Sequence, residues 1–309
     1  MEHDLAAVVR DQLEILRRQL PKVRHGDARG IHRARVASRR LREIVPVGEA
    51  IAPSVRRSKL SRYARRVTAS LGPVREMDVA LKEFEAAAAR REWRPEAMAL
   101  VRTQLQGERD RRARRMVRAW DRRDIKALEA RVEAMADVSD GADPGIWVAS
   151  LSSRLRKRAA RFRDALRAAG TLYAADPIHE VRIAAKKLRY TLELARTAAG
   201  ADVGHEIGRL KRLQDLLGRV RDLQVLADHA HALSARRHRK GLSTALEQIQ
   251  HDLETDCREH HAQFVKRSAR CEDLAERVAR VPALLLLPRT ARRMAVMRAA
   301  FMRRREEAS

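Results

Sequence analysis

Two short stretches of the sequence place a histidine and a row of basic residues at the same spacing. Both follow the pattern Ile-His-x-x-Arg-(Val/Ile)-Ala-x-(Arg/Lys)-(Arg/Lys)-Leu-Arg, first over 31–42 and again over 178–189. Positions three and four apart share a face of an α-helix, so each stretch predicts a helix with a cationic ridge and an apolar opposite side. Guanidinium and ammonium groups donate charge-assisted hydrogen bonds to phosphate oxygens, which indicates binding of a phosphate-bearing anion. The two ridges consist of His32, Arg35, Arg39 and Arg42, and of His179, Arg182, Lys186 and Arg189.

A second block is repeated downstream of each ridge. Residues 71–79 match residues 217–225, and in each copy a glycine is followed by an arginine and an acidic residue. The offset between these copies is within one residue of the offset between the two ridges. Two blocks repeated at nearly one offset predict an internal duplication of the chain.

The glycines of the second block are predicted to end helices. Gly72-Pro73 and Gly218 would each stop one helix, and the pairs Arg75-Glu76 and Arg221-Asp222 would begin the next. Arg75 and Arg221 are candidates for contact with an anion, and a purely structural pairing with the neighbouring acid is the alternative. The helices that flank the ridges supply further candidates, which are Arg62, Arg66 and Arg212.

Nearly every segment of the chain is predicted to be helical. Alanine, leucine, arginine and glutamate dominate, all of them good helix formers, and no stretch alternates in the way a strand would. A linker rich in aspartate and glycine at 138–145 divides the chain into two helical bundles, 1–140 and 141–309. The predicted fold class is therefore all-α. Breaks in the helical pattern are expected at Pro21, Gly26, Gly30, Val45-Pro46, Pro282 and Pro288.

The charge of the chain is extreme. Its 309 residues carry a formal net charge of +26, with a sequence pI near 11.4. Such a charge predicts an anionic partner, which could be nucleic acid, an anionic membrane surface or a phosphate polymer. A genome that favours arginine codons would explain much of the bulk arginine. It would not explain a cationic ridge that recurs at matched positions.

Several classes of protein are not favoured by the sequence. Cys257 and Cys271 have neither the spacing of a metal site nor that of a disulfide framework. The N-terminus lacks the apolar run of a signal peptide, and the apolar stretch 283–287 is far too short to span a bilayer. No nucleophile lies in a recognisable pair with a base. We therefore expect a cytoplasmic protein without membrane insertion, metal, cofactor or catalytic activity.

The two repeated blocks, in this order and twice over, resemble the CHAD family, named for a conserved histidine α-helical domain. The resemblance extends over essentially the whole chain, as one domain made of two repeats, and the one departure is Glu76 in place of the usual aspartate. It implies two bundles related by pseudo-twofold symmetry, with basic residues lining a central groove or pore. It also implies binding of inorganic polyphosphate and association with polyphosphate granules. Many relatives carry a triphosphate-processing CYTH domain with a Glu-x-Glu-x-Lys strand, and the sequence lacks this motif.

The chemistry of polyphosphate agrees with this resemblance. Polyphosphate has a negative charge on every phosphate and no bases, so its receptor needs a row of cations and no stacking platform. Aromatic residues make up only 3% of the chain, and Trp93, Trp120 and Trp147 are scattered, which is poor for a single-strand nucleic-acid groove. We expect polyphosphate and proteins of its granules as partners, with only non-specific binding of nucleic acid. The alternatives are a helical nucleic-acid-binding protein and a phosphohydrolase that uses His32 and His179.

Overall fold

The structure is a computed structural model that describes residues 4–119, 122–236 and 240–286. These residues form eleven helices joined by short turns, with no strand among them, so the predicted all-α class is confirmed. The helices are α1 Leu5–Arg24, α2 Ala28–Gly48, α3 Pro53–Arg57, α4 Leu60–Ala88, α5 Pro95–Ala119, α6 Arg122–Ser139, α7 Pro144–Ala169, α8 Ala175–Ala199, α9 Gly204–Ser234, α10 Lys240–Val265 and α11 Ser268–Leu285.

Polar caps and one left-handed glycine set several helix ends. The side chain of Asp4 accepts hydrogen bonds from the first backbone N–H groups of α1, and Asp27 does the same for α2. Asp143 caps α7, which begins at Pro144, a residue whose missing N–H is harmless in a first turn. Helix α8 ends at Gly200, whose φ of 66° is a conformation that favours glycine. Local sequence thus sets the start of α2 and the end of α8, together with the starts of α1 and α7.

The predicted breaks at Pro21, Pro73, Pro282 and Gly30 are wrong. Helix α2 does end close to the predicted Val45-Pro46, at Gly48. A proline inside a helix removes one hydrogen bond and crowds the preceding turn, at a cost of about 3 kcal/mol. Packing on both sides outweighs that cost here, as shown by Leu71 and Val74, which are fully buried on either side of one such proline. Pro288 lies outside the described residues. The residues found inside helices are Pro21 in α1, Gly30 and Pro46 in α2, Pro73 in α4 and Pro282 in α11.

The same correction applies to the glycines of the second repeated block. Helix α4 runs through Gly72 without ending, and α9 runs through Gly218. The pairs Arg75-Glu76 and Arg221-Asp222 therefore lie in the middle of long helices and do not begin new ones. The two glycines have another role inside these helices, because Gly72 lies beside Arg35 and Gly218 lies beside Arg182.

Two hydrophobic cores fill the described part of the chain. The larger one combines α1, α2, α6, α7, α8 and α11 with the first halves of α4 and α9. The smaller one combines α5 and α10 with the second halves of the same two long helices, and Phe84 stacks on Trp93 within it at 5.9 Å between ring centroids. Each core takes side chains from both predicted bundles, 1–140 and 141–309. The internal duplication stays a prediction.

No helix in the described part of the chain combines the length and the apolar character needed to cross a bilayer. The cysteines Cys257 and Cys271 are both buried and unpaired. Burial raises the pKa of each thiol to about 11, so neither is a reactive thiolate at neutral pH.

Candidate functional site

The two ridge helices bury the sides that their spacing predicts. On α2, Ala34, Ala37 and Leu41 are buried, and on α8, Ala184 and Leu188 are buried. Helices α2 and α8 pack against each other, and Arg40 of α2 forms an ion pair with Glu193 of α8 at 3.1 Å. The basic sides of both helices are left partly exposed. The packing therefore brings the two ridges into one place.

Four cations from the two ridges share this site. Burial and the nearby charges of Arg39 and Arg182 lower the pKa of Arg35 to about 10. Burial and the charges of Arg182, Arg39 and Arg35 lower the pKa of Lys186 to about 6. None of the four side chains forms an ion pair with a carboxylate in the part of the chain that the structure describes. Arg39 has a neutral partner, the hydroxyl of Tyr190.

Each ridge histidine lies near an arginine of the second repeated block. Burial and the charge of Arg75 on α4 lower the pKa of His32, and burial and the charge of Arg221 on α9 lower the pKa of His179. Nδ1 of His179 is buried without a hydrogen-bond partner among the described residues, whereas His32 is exposed. The two repeated blocks meet in the same way in both halves, which explains why they occur together.

The glycines of the second block make room for ridge arginines. A Cβ atom added at Gly72 would lie 3.6 Å from Nη1 of Arg35. A Cβ atom added at Gly218 would lie 3.8 Å from Nε of Arg182. These are ordinary contact distances for a methyl group, so a longer side chain would occupy the volume of the guanidinium. The glycines let an arginine of α2 or α8 lie directly on the backbone of the long helix.

The acidic residues that follow Arg75 and Arg221 differ in their partners. Glu76 accepts a hydrogen bond from Arg112 of α5 at 2.7 Å and lies 3.9 Å from Arg221. Asp222 forms no ion pair with the described residues. Burial raises its pKa to about 6, although the charge of Arg182 opposes that shift. Glu76 in one half of the site is thus paired with arginine, whereas Asp222 in the other half has no ion-pair partner among the described residues.

Arg189 has protein partners already. It forms an ion pair with Glu193 one turn along α8 and donates a hydrogen bond to Gln214 of α9 at 3.0 Å. Its guanidinium also lies 4.5 Å from the centroid of the Tyr190 ring. Of the eight predicted ridge residues, Arg189 is the one most engaged in holding α8 against its neighbours.

The three candidates from the flanking helices are not shown to act on the ridge cations. Arg62, Arg66 and Arg212 are exposed, and none of them is among the charges that shift the pKa values of the ridge cations. The guanidinium of Arg66 lies 6.0 Å from the ring centroid of Tyr63. Their contact with a ligand stays a prediction.

Sequence reasoning missed two arginines of α7, Arg154 and Arg158. Both donate hydrogen bonds to Glu43 of α2, and the charge of Arg158 acts on Arg42 at the end of the first ridge. The sequence offered one signal for them, their spacing of four residues, which places both on one face of the helix before the second ridge. Their position beside α2 depends on the packing of α7, which sequence spacing does not give.

The described residues offer neither a stacking platform nor a metal-binding group at the ridges. Trp93 and Trp147 are buried in the two cores, and Trp120 lies outside the described residues. No group of three or more histidine, cysteine, aspartate or glutamate side chains in the described ranges is placed to hold a metal ion. The arrangement is suited to holding an anion by charge and hydrogen bonds.

Comparisons with known proteins agree on the family. The CHAD domain family model matches residues 7–231, a range that contains both ridges and both glycine blocks. The fold is similar to the crystal structure of the CHAD domain from the plant Ricinus communis, with 22% identity, a TM-score of 0.57 and 94% of each chain covered. It is also similar to PptA from Streptomyces chartreusis, with 18% identity, a TM-score of 0.63, and 88% of this chain and 98% of that chain covered. No curated protein gives a significant match. On the match to the family model, which covers well over half of its length, the chain belongs to the CHAD domain family.

Proposed function

We propose that this protein binds inorganic polyphosphate without catalysis, through the ridge site between α2 and α8. The observation that carries the proposal is the cluster of four cations without carboxylate partners in the described part of the chain. Like charges that are partly removed from water repel one another and destabilise the unliganded protein. A polyanion would relieve that repulsion at several positions at once. Cytoplasmic location, association with polyphosphate granules and contact with granule proteins belong to the same proposal.

Two other functions are separated by direct experiments. The net charge also favours a helical nucleic-acid-binding protein, so the protein is titrated with labelled polyphosphate in the presence of excess duplex DNA. Retention of polyphosphate is expected, and displacement by DNA would favour nucleic acid. A phosphohydrolase that uses His32 and His179 would need a carboxylate to orient one of them as a base, and the charges with the largest effects on both pKa values are those of arginines. Incubation with polyphosphate and a divalent metal should release no phosphate above a blank.

Polyphosphate affinity should fall steeply as the salt concentration rises. Cations that contact the chain release its counterions, with a log–log slope of about −0.7 per contact for a single strand. About six to eight contacts from the two ridges and their flanking arginines therefore give a slope of roughly −4 to −6. Titration at several salt concentrations measures the slope. A response that is nearly flat would contradict an electrostatic site.

Polyphosphate affinity should rise as the pH falls from about 8 to about 6, since histidine normally titrates near ~6.5. In the free protein the pKa values of Lys186, His32 and His179 lie below their usual values, so part of each population is uncharged. Bound phosphates favour the protonated forms and raise these pKa values, so binding takes up protons. Asp222 strengthens this pH dependence, because its protonation near a pKa of about 6 removes a negative charge from the site as the pH falls.

Calorimetry in buffers of different ionisation enthalpy measures this proton uptake. The triple variant Lys186→Met, His32→Gln and His179→Gln should show a flatter pH dependence than the parent protein. If the variant keeps the full pH dependence, these three residues are not in contact with the ligand.

A further inference from the structure

A second group of cations lies at the far end of the first ridge, around the buried residue Glu43. Arg154 donates hydrogen bonds to its Oε2 from Nε at 3.0 Å and from Nη2 at 2.7 Å. Arg158 donates to both carboxylate oxygens at 3.0–3.1 Å from Nη2. The hydroxyl of Thr191 on α8 donates to the backbone oxygen of Lys187 at 2.9 Å and shares its one proton with Oε2 of Glu43 at 3.3 Å. We call Arg42, Glu43, Arg154, Arg158 and Lys187 the Glu43 cluster.

Most of these bonds converge on Oε2 of Glu43, which accepts from Nε and Nη2 of both arginines, while Oε1 accepts from Nη2 of Arg158. Two guanidinium groups thus already engage this carboxylate. Arg42 and Lys187 form no ion pair with the described residues. Burial lowers the pKa of both, and the charge of Arg158 lowers both further, although Glu43 opposes the shift. Glu49 acts on Arg154 and Glu180 acts on Lys187 only through their charges, so Glu43 is the one carboxylate hydrogen-bonded to any of these four cations among the described residues.

A structural role explains only part of this arrangement. The bonds of Arg154 and Arg158 to Glu43 join α7 to α2, and breaking such a buried pair is strongly destabilising. They give no reason for Arg42 and Lys187 to lie in the same place, where each adds repulsion. An excess of positive charge without an internal partner indicates that an anion from outside completes the cluster.

The Glu43 cluster is continuous with the ridge site. The charge of Arg39 in the ridge site acts on Arg42, and the charge of Arg42 acts on Lys187. The side chains of Arg154 and Arg158 are 21% and 22% exposed, and their Nη1 groups make no hydrogen bond with the described residues. Donors are therefore available beside the end of the ridge.

We propose that the Glu43 cluster is a second phosphate subsite, at which Arg42, Arg154, Arg158 and Lys187 bind phosphates of a chain that also occupies the ridges. Glu43 is a positioning residue, because its bonds hold two guanidinium groups in fixed places. The inference rests on the proposed polyphosphate function and deepens it. A polyphosphate chain long enough to reach both sites should bind more tightly than one that fits the ridges alone.

The test compares two ligands and two matched variants of the full chain. Lys187→Gln removes one charge of the cluster, at a residue that belongs to neither ridge, and leaves the bonds to Glu43 in place. Arg270→Gln removes one exposed charge near the start of α11. Each variant is titrated by calorimetry with tripolyphosphate and with long-chain polyphosphate, and circular dichroism checks that it is folded. Lys187→Met replaces Lys187→Gln if the latter does not fold.

The cluster variant should lose about tenfold of the affinity for long chains and keep that for tripolyphosphate, since one charge-assisted bond of about 1.5–3 kcal/mol matches or exceeds the ~1.4 kcal/mol of a tenfold change. The control should bind both ligands as the parent does. If the parent binds neither ligand, the polyphosphate function itself fails, and this inference fails with it. If the parent binds long chains tightly and the cluster variant does too, only the second subsite is overturned. An equal loss for both ligands would also overturn it, because Lys187 would then belong to the ridge site.

Discussion

Replacing Arg35, Arg39, Arg182 and Lys186 by alanine in one variant should lower the affinity for polyphosphate a hundredfold or more. Charge-assisted hydrogen bonds contribute about 1.5–3 kcal/mol each, although such losses are seldom additive. The loss of only two of them gives this factor, since ~1.4 kcal/mol is tenfold. The four cations form no ion pair with a carboxylate in the described residues, so their removal breaks no such pair, although Asp222 loses the charges of Arg182 and Lys186. The variant should therefore stay folded.

The matched control replaces four exposed cations on the turn after α10 and on α11. Charges that act only at a distance are screened beyond ~8 Å at physiological salt, so the control should lose far less affinity. Arginines of α5 would be a poor choice, because Arg112 already pairs with Glu76 beside the ridge site. Equal weakening in both variants would mean that binding follows net charge and that the ridges are structural. The control residues are Lys266, Arg267, Arg270 and Arg280.

The substitution Lys186→Met should stabilise the unliganded protein and weaken polyphosphate binding at the same time. Methionine has a similar length, fills irregular space well and carries no charge. Replacing buried charge by apolar side chains often stabilises by about 1–4 kcal/mol. For a chain of this size, each kcal/mol raises the melting temperature by roughly 2–4 °C. A residue kept only for packing would not change stability and binding in opposite directions.

The pH dependence of unfolding checks the cause of this effect. The pKa of Lys186 is about 6 in the folded protein, far below its value in an unfolded chain. Between the two values the unfolded state binds more protons, so this lysine makes the protein more stable as the pH rises. Denaturation of the parent should show that trend more strongly than denaturation of Lys186→Met. The exposed residue Lys157, replaced in the same way, serves as the control. An unchanged pH dependence in Lys186→Met would exclude a desolvated ammonium group.

The ridges could be predicted from sequence because their information is local. The spacing from His32 to Arg42 fixes which side chains share a helix face. The opposite, apolar face can be buried against any other apolar surface of the protein. The predicted stops at Gly72 and Pro73 were wrong because propensity is a weak prior that buried neighbours override. The glycine was informative for another reason, the room that it leaves for Arg35. Gly72 was predicted to end a helix because of its backbone freedom. Its contact with Arg35, which is distant in the sequence, explains it instead.

The parts of the site that were missed depend on tertiary packing. Arg158 comes beside the first ridge only because α7 packs against α2, and the ridge sequence carries no trace of that contact. Arg189 shows the opposite error, since a residue at a matched ridge position is engaged with Glu193 and Gln214. Side-chain partners decide which cations remain available, and spacing alone does not identify those partners.

The two shared cores have a consequence for how the chain can be divided. Neither 4–140 nor 141–286 contains a complete core, because α4 and α9 each contribute to both. Expressed alone, either segment should expose broad apolar surfaces and aggregate. Co-expressed as separate chains, the two should reassemble into an intertwined heterodimer that restores both cores and the ridge site together. Fragment complementation would thus recover the ridge site, whose cations come together only when the two segments pack against each other.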